Sequence, residues 1–249
     1  PKDHFLIFDV CGNFDFFEVQ KQGKETKIGK PITQQIFESR VHLSRLLTET
    51  DEEGDLELST SLRDLLHKSI TQLDKSRFQV AMNLKYVDEF SNRTRWNNLD
   101  SSDVHTLEEY LSYLPIPESI NEMARRFDLM MLKLQMATLM MSGTKKKFEE
   151  TLIDIAEGLS LKYTIPAVLR SKPLIESIKK QDFYKGISQK KLDSIREELR
   201  ELVQYLESSN RAIIYTNLQD SDVIVSVNEP DLSSNYGASY RRRVESFIR

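Results

Sequence analysis

The stretch FDLMMLKLQMATLMM at positions 127–141 limits what this chain can fold into more than any other part of it. The helical pattern around it runs from Pro117 to Met141 and predicts a helix roughly 36 Å long at 1.5 Å per residue. Six of the seven methionines fall in that helix: Met123, Met130, Met131, Met136, Met140 and Met141. A helix that is apolar over most of its circumference has to be surrounded by other helices, its flexible methionines filling irregular gaps, or else offer an adaptable groove to a partner. The first reading is the expectation, because helices apolar all round are usually buried. The run is too short to span a bilayer, and Asp128, Lys133 and Gln135 interrupt it.

The rest of the chain agrees with a helical assembly. Of 249 residues, 39% are hydrophobic and 30% charged, with only 8 Gly and 7 Pro, which disfavours both a sandwich and a disordered chain. The pattern predicts an amphipathic helix over 33–49, with Ile36, Val41, Leu43, Leu46 and Leu47 on its apolar side. An acidic loop follows at 50–57. Further helices are expected near 58–73, 76–91, 104–113 and 144–158, and two short ones around Pro166 and Pro173. Leu192, Ile195, Leu199, Leu202 and Leu206 form a heptad seam. Two heptads are short for a coiled coil, so the seam is expected to pack inside the domain.

Extended pieces appear only near the ends. HFLIFDVCGNFDFF at 4–17 has the character of an interior strand, and RAIIYT and DVIVSV lie within 211–227. The expected fold is therefore mainly α, a multi-helix bundle with a small β element formed by the N-terminal strand and strands near 211–227. The ends have the look of a piece cut from a longer protein, and with no basic, apolar leader visible a cytoplasmic location is expected.

Motifs for chemistry are weak. GKETKIGKP at 23–31 places five residues between Gly23 and Gly29, where a phosphate-binding loop needs four, and Pro31 stands where a Ser or Thr should reach magnesium. The four histidines, His4, His42, His67 and His105, show no metal-ligand spacing, and His42 and His67 read as ordinary residues at the edge of amphipathic helices. The single cysteine, Cys11, reads as a strand-end packing residue. The carboxylates Asp51, Glu52, Glu53, Asp55 and Glu57 have the number but not the rigid setting of a metal site, and a solvated loop is the expectation. No catalytic, cofactor-binding or metal-ligating residue is assigned.

Two basic runs are candidate contacts to phosphates: Lys145, Lys146 and Lys147, and Arg241, Arg242 and Arg243, the latter beside Tyr236 and Tyr240. A solvated charged face is the alternative for both. With a net charge of −4, the chain as a whole has no pull toward nucleic acid, so any such contact must be local.

Four stretches, in order, resemble the R subunit of type I restriction enzymes, their motor and nuclease subunit. HFLIFDVCGNFDFF is similar to the strand and loop that leave the second helicase lobe, with Phe5, Ile7, Asp9, Phe16 and Phe17 in matching places. FYKGISQKKLDSIREELRELVQYLE is similar to a segment where an aromatic residue and a short polar turn precede a helix rich in Leu and Arg. IIYTNLQD is similar to a strand ending in a Thr and acidic turn, though Asn217 and Gln219 depart from the more acidic version. YRRRVESFIR resembles the start of the family's C-terminal helical region.

The resemblance implies three parts: a strand and loop leaving an upstream helicase lobe at 1–31, a helical domain at 32–209, and short strands with the start of a truncated helix at 210–249. It implies a non-catalytic role in subunit docking, motor bracing and DNA backbone contact within an ATP-dependent site-specific deoxyribonuclease. The ATP and magnesium sites would lie upstream of Pro1, with none in this stretch. The implied partners are the methyltransferase and specificity subunits and double-stranded DNA, with no membrane. A free-standing helical interaction scaffold is the alternative.

Overall fold

The computed structural model describes residues 30–50, 52–116 and 121–206. Among them the chain forms ten α-helices joined by short 3₁₀ turns, in the order α1 (Ile32–Leu46), α2 (Glu53–Thr71), α3 (Phe78–Met82), α4 (Leu84–Phe90), α5 (Ser101–Thr106), α6 (Glu122–Leu139), α7 (Lys145–Ser160), α8 (Pro166–Arg170), α9 (Lys172–Ile178) and α10 (Gln189–Leu199). The mainly helical class is as the sequence predicts. The expected β element, and with it three of the four stretches that resemble the restriction subunit, lies outside the described residues.

Helix α6 is the centre of the molecule. Twelve of its eighteen residues are buried, which requires neighbours on nearly every side. Met123, Phe127, Met130, Met131, Leu134 and Ala137 pack into a core shared with α7, α8, α9 and α10. Leu129, Leu132 and Met136 face the opposite way, against Ile36, Leu43 and Leu47 of the α1 region and Leu58 and Leu62 of α2. Helix α1 in turn uses Phe37 and Val41 for a further core around Trp96, with Leu66, Val80, Val87, Phe90, Leu107 and Leu111. Two shared walls, α1 and α6, thus link three apolar clusters into one body.

Several boundaries differ from expectation for local physical reasons. The central helix begins at Glu122, capped by the Asn121 side chain, which accepts from the Ala124 amide at 3.3 Å. Its eighteen residues span about 27 Å, shorter than the pattern from Pro117 suggested. It closes with the amide of Ser142 donating to Ala137 at 2.9 Å and that of Met141 to Thr138 at 3.4 Å, and Met141 takes φ +49°. Glycine usually fills that left-handed position.

The acidic stretch at 50–57 is not a solvated loop. Helix α2 starts inside it, at Glu53, and Asp55 is buried and accepts from the Thr50 hydroxyl at 3.0 Å. Carboxylates in a first turn are favoured by the helix dipole. The pattern at 76–91 is split at Asn83 into α3 and α4. The 104–113 pattern becomes α5, opened by a reciprocal capping pair of Asp100 and Asp103, and continues as a wide π turn over Leu107–Leu111. Pro166 and Pro173 lie in the first turns of α8 and α9 as predicted.

Candidate nucleic-acid interface

The lysine run opens α7, where positive charge opposes the helix dipole. The next turn compensates it. Lys145 lies 3.5 Å from Glu149 and Lys146 lies 3.9 Å from Glu150. Such exposed i, i+4 pairs are weak and easily exchanged for another anion. The third lysine, Lys147, offers its carbonyl to the Thr151 hydroxyl at 2.9 Å. Arg241, Arg242 and Arg243, with Tyr236 and Tyr240, lie outside the described residues.

The titratable groups elsewhere serve mostly as ties. His42 Nε2 lies 2.5 Å from Glu108 Oε1, linking α1 to the π turn. Beside it Lys30 reaches Glu38 at 2.8 Å, and Gln34 bridges Glu38 and Ser112. Burial pushes the Glu108 carboxyl up, but the hydrogen bond and charge of His42, with Lys30 and His105 nearby, outweigh it and hold the group below its ordinary value. His67 donates from Nε2 to the Ser91 carbonyl at 2.9 Å. Both histidines are edge residues, as expected. Among the described residues no three His, Cys, Asp or Glu side chains converge to hold a metal ion, and no helix is long and apolar enough to cross a membrane.

An ionic clamp that the sequence reading missed joins the central helix to α10. Asp128, which the sequence shows only as an interruption of an apolar run, has a side chain 3% exposed. It receives Arg200 Nη2 at 3.0 Å and Arg196 Nη1 at 3.4 Å. Arg196 also holds Asp193 at 2.8 Å, and Arg200 holds Glu201 at 3.0 Å. The Arg196 guanidinium is pushed down by burial, but its bonds and proximity to Asp193 and Asp128 prevail and raise it. The heptad seam lies on the inner side of the same segment: Leu192, Ile195, Leu199, Leu202 and Leu206 are all buried. It is core and not a coiled-coil surface.

A second missed feature is the basic stretch from Lys162 to Lys191. Val168 of α8, Ile175 and Ile178 of α9 and Tyr184 in the following turn are buried, while Arg170, Lys172, Lys180 and Lys185 point to solvent. Tyr163 braces this layer by donating to Glu176 at 2.7 Å, and the Lys172 ammonium sits 5.2 Å from the Tyr163 ring centre. Burial, aided by the bond to Glu176 and that carboxylate's charge, pushes the Tyr163 hydroxyl up to about 12. Counting charge in a moving window would have found this stretch; searching for runs of adjacent like charges passes over it.

Of the stretches resembling the restriction subunit, the second is described almost throughout. Phe183 and Tyr184 close a 3₁₀ turn, Gly186 at φ +65° reverses the chain, and Ser188 caps α10 by accepting from the Lys191 amide at 3.3 Å. Comparison of the chain with protein-family models, with curated proteins and with solved structures gives no match.

Proposed function

We propose that the chain is a non-catalytic helical module of the R subunit of a type I restriction–modification enzyme, bracing the motor and docking it onto the methyltransferase and specificity subunits. The support is the ordered resemblance of four stretches, and the observation that carries the reading is the setting of α10. The Leu- and Arg-rich helix of the resembling segment is locked to the central helix twice over, by Leu192, Ile195 and Leu199 in the core and by Arg196 and Arg200 on Asp128. A rigid, multiply tied helical body suits a brace. In this reading the strand at 4–10 pairs with strands near 211–227 at the exit of the helicase lobe, and ATP and magnesium belong to upstream parts of the parent.

A free-standing scaffold is the second reading. The two surfaces the sequence offered for it, the methionine helix and the heptad seam, are both largely enclosed in the core. What favours it is Phe78 and Met82, one turn apart on α3 and 79% and 70% exposed. Size-exclusion chromatography with light scattering of the chain, alone and with an assembled methyltransferase–specificity complex, separates the two. Co-elution with the complex is the expected result. A stable self-oligomer that ignores the complex would overturn the restriction-subunit reading.

A further inference from the structure

We propose that the outer face of α8, α9 and the turn after them is a binding ridge for the phosphate backbone of double-stranded DNA. The charge pattern carries the anionic partner; the choice of DNA as that partner rests also on the function proposed above.

Between Lys162 and Lys191 there are eight Lys and Arg against two Asp and Glu, an excess of six positive charges in a chain whose total is −4. Charge segregated so strongly against the overall balance creates a local field that the net value hides. The apolar residues of the layer point inward, so the basic side chains project from a backed, packed surface. Lys179 is paired with Glu176 at 3.2 Å, Lys185 with Asp182 at 2.7 Å and Lys190 with Glu57 at 2.6 Å. Among the described residues Arg170, Lys172, Lys180 and Lys191 form no ion pair, in contrast to Lys145 and Lys146.

The spacing suits a polyanion. Helix α9 has seven residues and is about 10 Å long, so Arg170 and Lys172 at one end and Lys180 beyond the other are far enough apart to reach different phosphates of one strand. Lys172 over the Tyr163 ring, and Tyr163 on Glu176, hold part of the ridge in place before any ligand arrives. Leu161 and Leu169 are exposed beside it, which raises an anionic membrane surface as the competing partner. Interfacial helices, however, present a continuous apolar face outward, and α8 and α9 turn theirs to the core.

The test is fluorescence anisotropy with a labelled duplex, titrated over salt, on the whole chain and three variants. The first carries R170A, K172A, K180A and K185A; the second keeps charge at the same sites as R170K, K172R, K180R and K185R; the third carries K145A, K146A and K147A. Circular dichroism checks that each is folded. The expected result is salt-sensitive binding that drops at least about tenfold in the first variant, with the slope of log affinity against log salt reduced by about 3–4. The second and third variants should bind as the parent chain does. Absence of duplex binding at low salt, or equal binding by the first variant, would overturn the ridge. So would association with phosphatidylglycerol vesicles in place of the duplex, lost in the first variant. Duplex binding through the ridge by a chain that fails to co-elute with the methyltransferase–specificity complex would uphold the ridge and remove the restriction-subunit reading.

Discussion

Replacing Asp128 by Ala tests whether the clamp between the central helix and α10 is as consequential as its burial suggests. In the native protein the carboxylate faces two guanidinium groups at 3.0 and 3.4 Å, with its own side chain 3% exposed. Removing one member of a buried ionic group costs about 3–5 kcal/mol, because the remaining charges stay desolvated without compensation. Here the lower end applies. Arg200 is 28% exposed on its side chain and keeps Glu201, while Arg196 keeps Asp193. A loss of about 3 kcal/mol is a large part of the roughly 5–15 kcal/mol that holds a domain together. With a urea dependence of about 2 kcal/mol per molar it moves the midpoint by about 1.5 M.

The assay has a built-in second readout. Trp96 is the only tryptophan and is fully buried in the cluster around α4 and α5, on the other side of α1 from the clamp. Its emission reports one end of the molecule, and circular dichroism reports all the helices. If α1 and α6 make the three clusters one cooperative body, both signals shift together in the variant. A change below about 1 kcal/mol would refute the clamp's role, and a shift in dichroism that leaves the Trp96 transition in place would refute the single body. Replacing Asp128, Asp193, Arg196 and Arg200 together by apolar residues of similar size should recover most of the loss.

Three further outcomes are expected. Glu108 has a folded value lowered from 4.5, so its stabilisation is present above that value and is lost as pH falls through the folded one; Glu108→Gln should flatten the decline of urea midpoints between about pH 5 and pH 3, and an unchanged decline would count against the His42 tie. Met141→Gly should raise stability by about 0.5–1 kcal/mol, because Met141 is 91% exposed at φ +49° and gives up little packing, which a thermal scan can read. Trp96→Phe should cost about 1–3 kcal/mol, since the indole donates to the Phe90 carbonyl at 2.8 Å in a dry site and a phenyl ring leaves that acceptor unpaired; urea titration by circular dichroism would show a near-neutral effect if the bond contributed nothing.

If the basic ridge binds duplex and the clamp keeps α10 fixed to the central helix, the two functions proposed for the body are carried by adjoining segments. The ridge begins just after α7 and runs into α10, where Arg196 and, just past the helix end, Arg200 hold Asp128. Force on bound DNA would then pass directly into the central helix.

Much of the helical plan is dictated by local sequence. The apolar run had to be enclosed, and from Phe127 to Ala137 every residue but Lys133 is buried, because a helix without a polar face has no stable place in water; Met140 and Met141, past its end, are exposed. Pro166 and Pro173 start short helices because proline's fixed φ and missing amide suit a first turn. The seam from Leu192 to Leu206 announced a buried stripe. What these patterns could not contain was pairing at a distance. Asp128 is 68 positions from Arg196 and 72 from Arg200, so no periodicity connects them, and alone it reads as a flaw in an apolar helix. The burial of Asp55 against Thr50 was likewise invisible to composition, since it depends on where α2 begins. The partners of the lysine run are a local matter: Glu149 and Glu150 lie at i, i+4 from Lys145 and Lys146, a spacing the sequence already carries. The basic stretch over α8 and α9 is another case: its charges are scattered along the chain, and the packing of Val168, Ile175, Ile178 and Tyr184 against the core leaves Arg170, Lys172, Lys180 and Lys185 exposed. Local propensity and periodicity act over a few residues and are written in the chain; electrostatic partnership and shared faces are set by the tertiary distances between elements.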